Sequence, residues 1–293
     1  MKNIVSGQIR TFDEEQRIVS LYCCRRIQYF YLQRSLLNHI GKYLEIGRFI
    51  QFTVTNEPRM YKRLKVYTVD YVIKIMHIRY RKNIVYYDVK NIKTGTKKLI
   101  NNLGNKMFLD LEMSMHPYKV DRTFTQEIIQ VGYLLLDQND NIIEKYDQII
   151  QPTKHKVLSK RTLRFLDISQ EDVDNGIPFQ DFYTHFKAVL DQYDPAVIVW
   201  GRNDFLALRD AYKINRLPNL DPTTRYINLL KLHKNYFHLK NDLGLFNALN
   251  LYEVTEKTQA HNALEDALVT HRIFRGFRDV VNHKRFVDIS TYQ

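Results

Sequence analysis

The sequence predicts two domains in series: an all-β barrel, then an α/β domain whose mixed sheet is flanked by helices. Three observations predict this. At 293 residues the chain sits where a single core usually divides into two. The charge is unevenly spread, because residues 1–105 hold 20 Lys and Arg against 7 Asp and Glu, while residues 106–293 hold 24 against 25. The whole excess of +12 therefore belongs to the first third. Finally, short alternating runs fill that first third, and from Met107 the pattern changes to strands interspersed with helices.

Composition removes several classes. With 44% hydrophobic and 26% charged residues and only 10 Gly and 7 Pro, the chain has material for packed cores and no low-complexity bias. The longest apolar run, Ile128 to Leu136, is broken by Gln130 and Gly132 and is about half of a membrane span. The residues after Met1 lack the apolar core of a secretory signal, so the expected compartment is the cytoplasm, with no membrane partner. Cys23 and Cys24 are adjacent, a spacing that suits neither a zinc site nor an ordinary disulfide. Any metal must rest on carboxylates and histidine.

In the first domain, period-2 alternation marks strands at Ser6–Phe12, Arg17–Cys23, Ile27–Leu32, Arg48–Thr55 and Val66–Ile75. Asp13-Glu14-Glu15-Gln16 reads as the first turn, Gly41 and Gly47 flank a short irregular connection, and Asn56-Glu57-Pro58 interrupts the last pair of strands. Five strands with the long joint after the third is the pattern of an OB-type barrel. Fourteen of the 37 aromatics fall in this basic segment, and cations among aromatics suit a single-stranded nucleic acid, through counterion release and base stacking.

Three stretches of this domain, Gly7-Gln8-Ile9 leading to Phe12-Asp13, Tyr29-Phe30-Tyr31-Leu32, and Gly47-Arg48-Phe49-Ile50-Gln51-Phe52, resemble a cold-shock domain over about 70 residues. The second strand departs from that pattern: Arg17-Ile18-Val19-Ser20-Leu21 stands where cold-shock domains are rich in glycine and phenylalanine. Phe12 and Phe30 hold matching positions, and the resemblance makes them stacking candidates, with barrel core as their other reading.

From His77 to Lys106 runs a second basic piece carrying Arg79, Arg81, Lys82, Lys90, Lys93, Lys97, Lys98 and Lys106 against the one acid Asp88. Alternating runs at Ile84–Val89 and Lys97–Leu103 around Lys93-Thr94-Gly95 predict a β-hairpin linker. Arg79, Arg81 and Lys82 are candidate phosphate contacts, with a charged edge that blocks strand pairing as the alternative. The expected domains are thus 1–76, a linker 77–105, and 106–293.

The second domain opens on Met107-Phe108-Leu109-Asp110-Leu111-Glu112-Met113, an apolar strand with acids at alternate positions. Asp110 and Glu112 therefore project to one face, where two carboxylates repel unless a cation joins them. Ile128–Asp137 and Ile142–Ile150 read as a hairpin extending this strand, Ser159–Leu166 and Phe179–Tyr193 as helices, and Ala196–Trp200 as a buried strand. Gly201-Arg202-Asn203-Asp204 then opens a helix through Tyr212. That puts Asp204 at a strand end and helix start, where sites of α/β sheets lie and where an N-cap aspartate is also common. In Thr258-Gln259-Ala260-His261-Asn262-Ala263-Leu264-Glu265-Asp266-Ala267, Asp266 falls within a packed helical stripe while His261 precedes it on a polar loop. His271, farther along that helix, reads as a surface or packed histidine.

The ordered set Asp110-x-Glu112, Asp204 and His261-x-Ala263-x-x-Asp266 resembles the DEDDh superfamily of 3′-to-5′ exonucleases, which share a ribonuclease H-like fold. The resemblance spans about residues 106–280 and includes Gln126-Glu127-Ile128-Ile129-Gln130-Val131-Gly132, Ile168-Ser169-Gln170-Glu171-Asp172-Val173 and Val199-Trp200-Gly201. The texture is similar to KapD-like bacterial nucleases and to eukaryotic enzymes that trim small RNAs and histone messages. One departure is Leu166-Asp167-Ile168, where relatives carry Thr-Gly-Ile. The resemblance implies that Asp110, Glu112, Asp204 and Asp266 bind two divalent ions and that His261 is the general base; hard oxygen ligands favour Mg²⁺ or Mn²⁺ over zinc. It implies an enzyme that removes nucleoside 5′-monophosphates from the 3′ ends of single-stranded RNA. Trimming or proofreading of DNA, a catalytically silent domain that only binds RNA, and recruitment of a protein partner by the barrel stay open on the sequence.

Overall fold

The computed structural model describes residues 3–23, 25–80, 82–117, 124–253 and 261–292. The chain divides into two compact units, Met1–Thr96 with Lys234–Asn241 and Ser290–Gln293, and Lys97–His233 with Asp242–Ile289. Among the described residues, no helix is long and apolar enough to cross a membrane.

The first unit is a barrel of β1 (Asn3–Asp13), β2 (Ile18–Cys23), β3 (Arg26–Tyr31), β4 (Phe49–Tyr61) and β5 (Leu64–His77), with α1 (Arg34–Ile40) between β3 and β4. The strands run in the order β3-β2-β1-β4-β5, and a parallel pairing of Phe30 and Tyr31 with Tyr67 and Thr68 joins β3 to β5. That closure leaves no free edge among the five strands and gives the OB-type barrel its dry interior. Ile9, Val19, Leu21, Phe30, Phe52, Val69 and Ile75 fill it. Cys23 is a buried thiol of this core, and Cys24 lies outside the described residues.

Two details differ from the sequence reading. Asn56-Glu57-Pro58 lies inside β4, where the pairing with β5 loses register between Val54 and Pro58, and the chain turns instead at Lys62-Arg63, both with positive φ. A bulge absorbs the proline that alternation treats as a break. The predicted hairpin around Lys93-Thr94-Gly95 is not formed either. β6 (Ile84–Asp88) pairs with β5, and the chain then enters α2 (Val89–Asn101). The Asp88 carboxylate accepts from the Lys90 and Asn91 backbone N–H groups, capping the helix start. The covered residues Ile92, Thr96 and Ile100 recur every four positions, so a helical stripe outweighs the turn signal of Thr-Gly.

The second unit carries β7 (Lys106–Met113), β8 (Ile128–Leu136), β9 (Ile142–Gln151), α3 (Lys160–Leu166), α4 (Gln170–Asp174), β10 (Ile177–Pro178), α5 (Phe179–Tyr193), β11 (Ala196–Val199), α6 (Asn203–Ile214), β12 (Arg225–Asn228), the first five residues of α7 (Leu229–Phe237), whose remainder counts with the first unit, α8 (Leu245–Leu249) and α9 (Ala263–Val281). Its sheet order is β10-β9-β8-β7-β11-β12. β7, β8 and β9 form an antiparallel meander, and β11 and β12 join β7 in parallel.

Alternation along β7 sorts the two faces. Met107, Leu109 and Leu111 join Phe182, Phe186, Leu208 and Tyr212 of α5 and α6 in the larger core. Phe108 packs on Phe274 of α9, so the opposite face, which carries Asp110 and Glu112, is the α9 side. The buried ammonium of Lys106 ties the bottom of the sheet together, reaching Asp140 at 2.9 Å and the backbone carbonyls of Gly104 and Asp137. Glu127 is buried and accepts from the backbone N–H groups of Thr153, Lys154 and His155, which fixes the segment after β9.

α3 ends at Asp167 in the left-handed conformation, φ 53° and ψ 45°. Glycine adopts such angles without a Cβ penalty, while aspartate tolerates them. Asp167→Gly should therefore raise the urea midpoint, by up to about 1 kcal/mol of stability. A lower midpoint would mean that the carboxylate does more than occupy the turn.

Candidate active site

Four elements bring the acids together. β7 supplies Asp110 and Glu112 from one face. β11 runs parallel to β7, so the chain leaving it enters α6 beside the acidic strand, and Asp204 in the first turn of α6 turns inward. Its Oδ1 accepts from the Leu111 backbone N–H at 3.2 Å, and the residue is buried. The N-cap position itself is taken by Arg202, so Asp204 is not the capping residue that its place in the sequence allows. α9 supplies Asp266, 3% exposed, one turn into the helix.

His261 stands just before that helix with φ 47°, its Nδ1 3.8 Å from Glu112 Oε1 and its ring centroid 4.0 Å from that of Phe165. Thr258, Gln259 and Ala260 of the motif lie outside the described residues. His271 packs against Phe108, and burial lowers its pKa to about 4, in keeping with the packed reading.

The electrostatics are those of crowded like charges. Burial, and behind it the carboxylates of Asp204, Asp266 and Glu112, hold Asp110 well above the usual carboxylate range. Burial and then Asp266 and Asp204 raise Glu112 from 4.5 to about 7. Asp204 rises to about 6 through burial, although backbone hydrogen bonds pull it down. Oxygen donors dominate this set, and ligand atoms of Glu112, His261 and Asp266 lie within 4.8 Å of one another. Such donors fit a hard divalent cation, which would replace mutual repulsion with attraction.

These carboxyls bind protons more tightly folded than unfolded, so their contribution is fully present below about pH 4 and is lost as the pH rises to about 7. These acids lower the melting temperature of the metal-free protein at pH 8 relative to pH 5, while the buried imidazoles of His233, His238 and His271, held neutral by burial, act in the opposite sense. Added Mg²⁺ should raise the melting temperature more at pH 8, where protons no longer compete. Equal Mg²⁺ shifts at both pH values would count against a cation at these acids.

Several residues beside the acids and the histidine hold the site in place, and the sequence reading gave them no role. Gly132 pairs with Asp110 across β7 and β8, and a Cβ there would lie 2.0 Å from the Leu264 backbone nitrogen. The α9 N-terminus rests directly on this glycine. Gln130, two residues earlier, accepts from the Ala263 N–H at 3.2 Å and donates to Asp147 at 2.8 Å, and the Asn262 side chain caps α9 through Glu265 N–H. A polar residue and a glycine inside an otherwise apolar buried strand were the available signals. Phe165 gave none.

The nucleic-acid candidates fare unevenly. Phe30 is a core residue, 1% exposed and edge-to-face with Phe52, so it offers no ring to a base. Phe12 is half-buried against the same core. Arg79 and Lys82 are exposed, and Arg81 lies outside the described residues. What the barrel does present is tyrosines paired with arginines: Arg10 lies over Tyr22 at 5.2 Å, and Arg17 and Arg59 both lie over Tyr31, at 5.0 and 5.2 Å. Tyr31 neighbours Phe30 and so has the opposite parity, which the sequence alone could not orient.

The meander continued by parallel strands, with acids at the join, is the ribonuclease H-like arrangement. The chain belongs to the exonuclease (RNase T) family, whose profile matches residues 107–274. It is 29% identical to the "Probable 3'-5' exonuclease KapD" of Bacillus subtilis (strain 168) over 171 residues, 58% of this chain and 82% of that protein. The nuclease domain of 3'hExo, a DEDDh family member bound to rAMP, superposes with a TM-score of 0.54 at 18% identity, over 64% of this chain and 97% of the other. Cell-death related nuclease 4 gives 0.52 at 21% identity, over 62% and 64%. Exonucleases of this type depend on divalent metal.

Proposed function

We propose that this protein is a cytoplasmic 3′-to-5′ exoribonuclease that releases nucleoside 5′-monophosphates from single-stranded RNA. The observation that carries it is the convergence of Asp110, Glu112, Asp204 and Asp266 beneath a partly exposed histidine. The four carboxylates would hold two divalent ions, Mg²⁺ or Mn²⁺, whose role when bound is to polarise the phosphate and offset charge on the departing 3′ oxygen. His261, at the rim and outside the packed part of α9, accepts the proton of the attacking water. The new bond joins that water oxygen to phosphorus, and the bond from phosphorus to the 3′ oxygen breaks. Gln130 and Asn262 fix the start of α9 and with it the histidine's position.

RNA over DNA is supported by the cold-shock-like barrel with its tyrosine and arginine pairs, which would add affinity for the strand. A related 3′-exonuclease is described as recognising a histone mRNA stem-loop. The deciding experiment digests matched RNA and DNA strands, labelled at the 5′ end and carrying a free 3′ hydroxyl, with Mg²⁺ and with EDTA. A ladder shortening from the 3′ end of RNA, faster than DNA and absent in EDTA, is expected. Internal cleavage, or DNA digested faster, would overturn the assignment.

A further inference from the structure

The first unit contains a cavity of about 250 Å³ that the exonuclease chemistry does not use. It lies between α1, β5, β6 and the segment Lys234–Asn241, which counts with the barrel. Four rings, those of His39, Tyr71, Tyr87 and His238, form part of its wall. Tyr71 and His238 stack with ring planes 10° apart, and His39 meets Tyr87 edge-on at 5.8 Å. Around them stand the amides of Gln33, Asn38 and Asn235, each offering a donor and an acceptor. Lys234 and Lys240 outnumber the one acid, Asp70, so the lining favours an anion.

His238 marks this as more than a packing gap. It holds a left-handed backbone, φ 57°, and its Nε2 is buried with no hydrogen-bond partner. Burial, with Lys93 and His39 behind it, lowers its pKa to about 4, so the imidazole is neutral and one ring nitrogen can accept. A buried polar nitrogen left unsatisfied carries a desolvation cost that a ligand's hydrogen bond would remove.

We propose that this cavity binds a mononucleotide, its base edge against the amides and His238 and its phosphate toward Lys234 and Lys240. Flat aromatic rings suit a planar heterocycle, paired donors and acceptors match a base edge, and the lysines select the anion. The volume falls just below the ~300–1,000 Å³ of drug-sized sites, which suits one base with its sugar. The proposal stands apart from the nuclease reading, since it uses none of the carboxylates.

The test is calorimetric titration of the full chain in EDTA with each of the four ribonucleoside 5′-monophosphates and with inorganic phosphate. Saturable one-to-one binding of at least one nucleotide is expected, with phosphate about tenfold weaker or more, reflecting the lost base contacts. His238→Asn, which tolerates the left-handed angles, and Asn235→Ala should each weaken binding about fivefold to tenfold, the worth of one hydrogen bond. Lys240→Ala, at a partly exposed position where folding is not at stake, should weaken binding as well, and melting curves of all variants check that they fold. Glu112→Gln should leave binding unchanged. Absence of saturable binding, phosphate binding as tightly as the nucleotides, or loss in Glu112→Gln with retention in His238→Asn would each overturn it. Because no cleavage is read, the result is distinct from the fate of the exonuclease assignment.

Discussion

Asp110→Asn is expected to cut phosphodiester hydrolysis by ~10²–10³-fold or more and, in EDTA at pH 8, to raise the melting temperature. Both effects have one cause. Asp110 is buried among Asp204, Asp266 and Glu112, and each ionised neighbour disfavours its charge. Asparagine keeps the shape and removes one negative charge, so the folded metal-free protein loses repulsion that the unfolded chain never had. A gain of ~0.5–2 kcal/mol is the scale for relieving an active-site conflict, a few degrees for a domain of this size. The gain should fade toward pH 5, where these carboxyls are largely protonated in the folded state. Mg²⁺ should stabilise the variant less than the parent. A variant equally active, or less stable in EDTA at pH 8, would remove the acid cluster from the catalytic account.

Gly132→Ala should be the most damaging conservative change outside the acids. A methyl there meets backbone, with Leu264 N at 2.0 Å and the Ala263 carbonyl carbon at 2.2 Å, and backbone cannot rotate away as a side chain can. The helix must lift from the sheet, breaking the bond from Ala263 N–H to Gln130. Overpacking of this kind costs ~1–3 kcal/mol and occasionally more, and the upper end applies because α9 is pinned elsewhere by Phe274 and Phe277. His261 and Asp266 move with the helix, so activity per folded molecule, measured well below the melting temperature and with saturating Mg²⁺, should fall at least ~10²-fold. Full activity in the folded fraction would mean that α9 can shift without disturbing the site.

What could be read from the sequence was whatever depends on neighbours along the chain. Alternation placed five barrel strands and put Asp110 and Glu112 on one face, while the stop at Asp194-Pro195 bounded the Phe179–Tyr193 helix. The spacing of His261 and Asp266 around a buried stripe put one before the helix and one inside it. Where two local signals competed, the local reading went astray. Thr94-Gly95 suggested a turn inside what is a capped helix, and Pro58 suggested a break that β4 absorbs as a bulge.

The tertiary structure alone decided which parity of Tyr29-Phe30-Tyr31 faces the core, that Gly132 must be bare because a helix lies on it, and that segment 234–241 closes a cavity with the barrel. The physical reason is common to all three. Alternation and helical period give the angle between side chains but not the direction of the core, and a close approach between distant segments leaves no trace in either segment's own pattern. The acids became candidates because their order along the chain resembles a known family, whereas their convergence depends on the parallel pairing of β11 with β7.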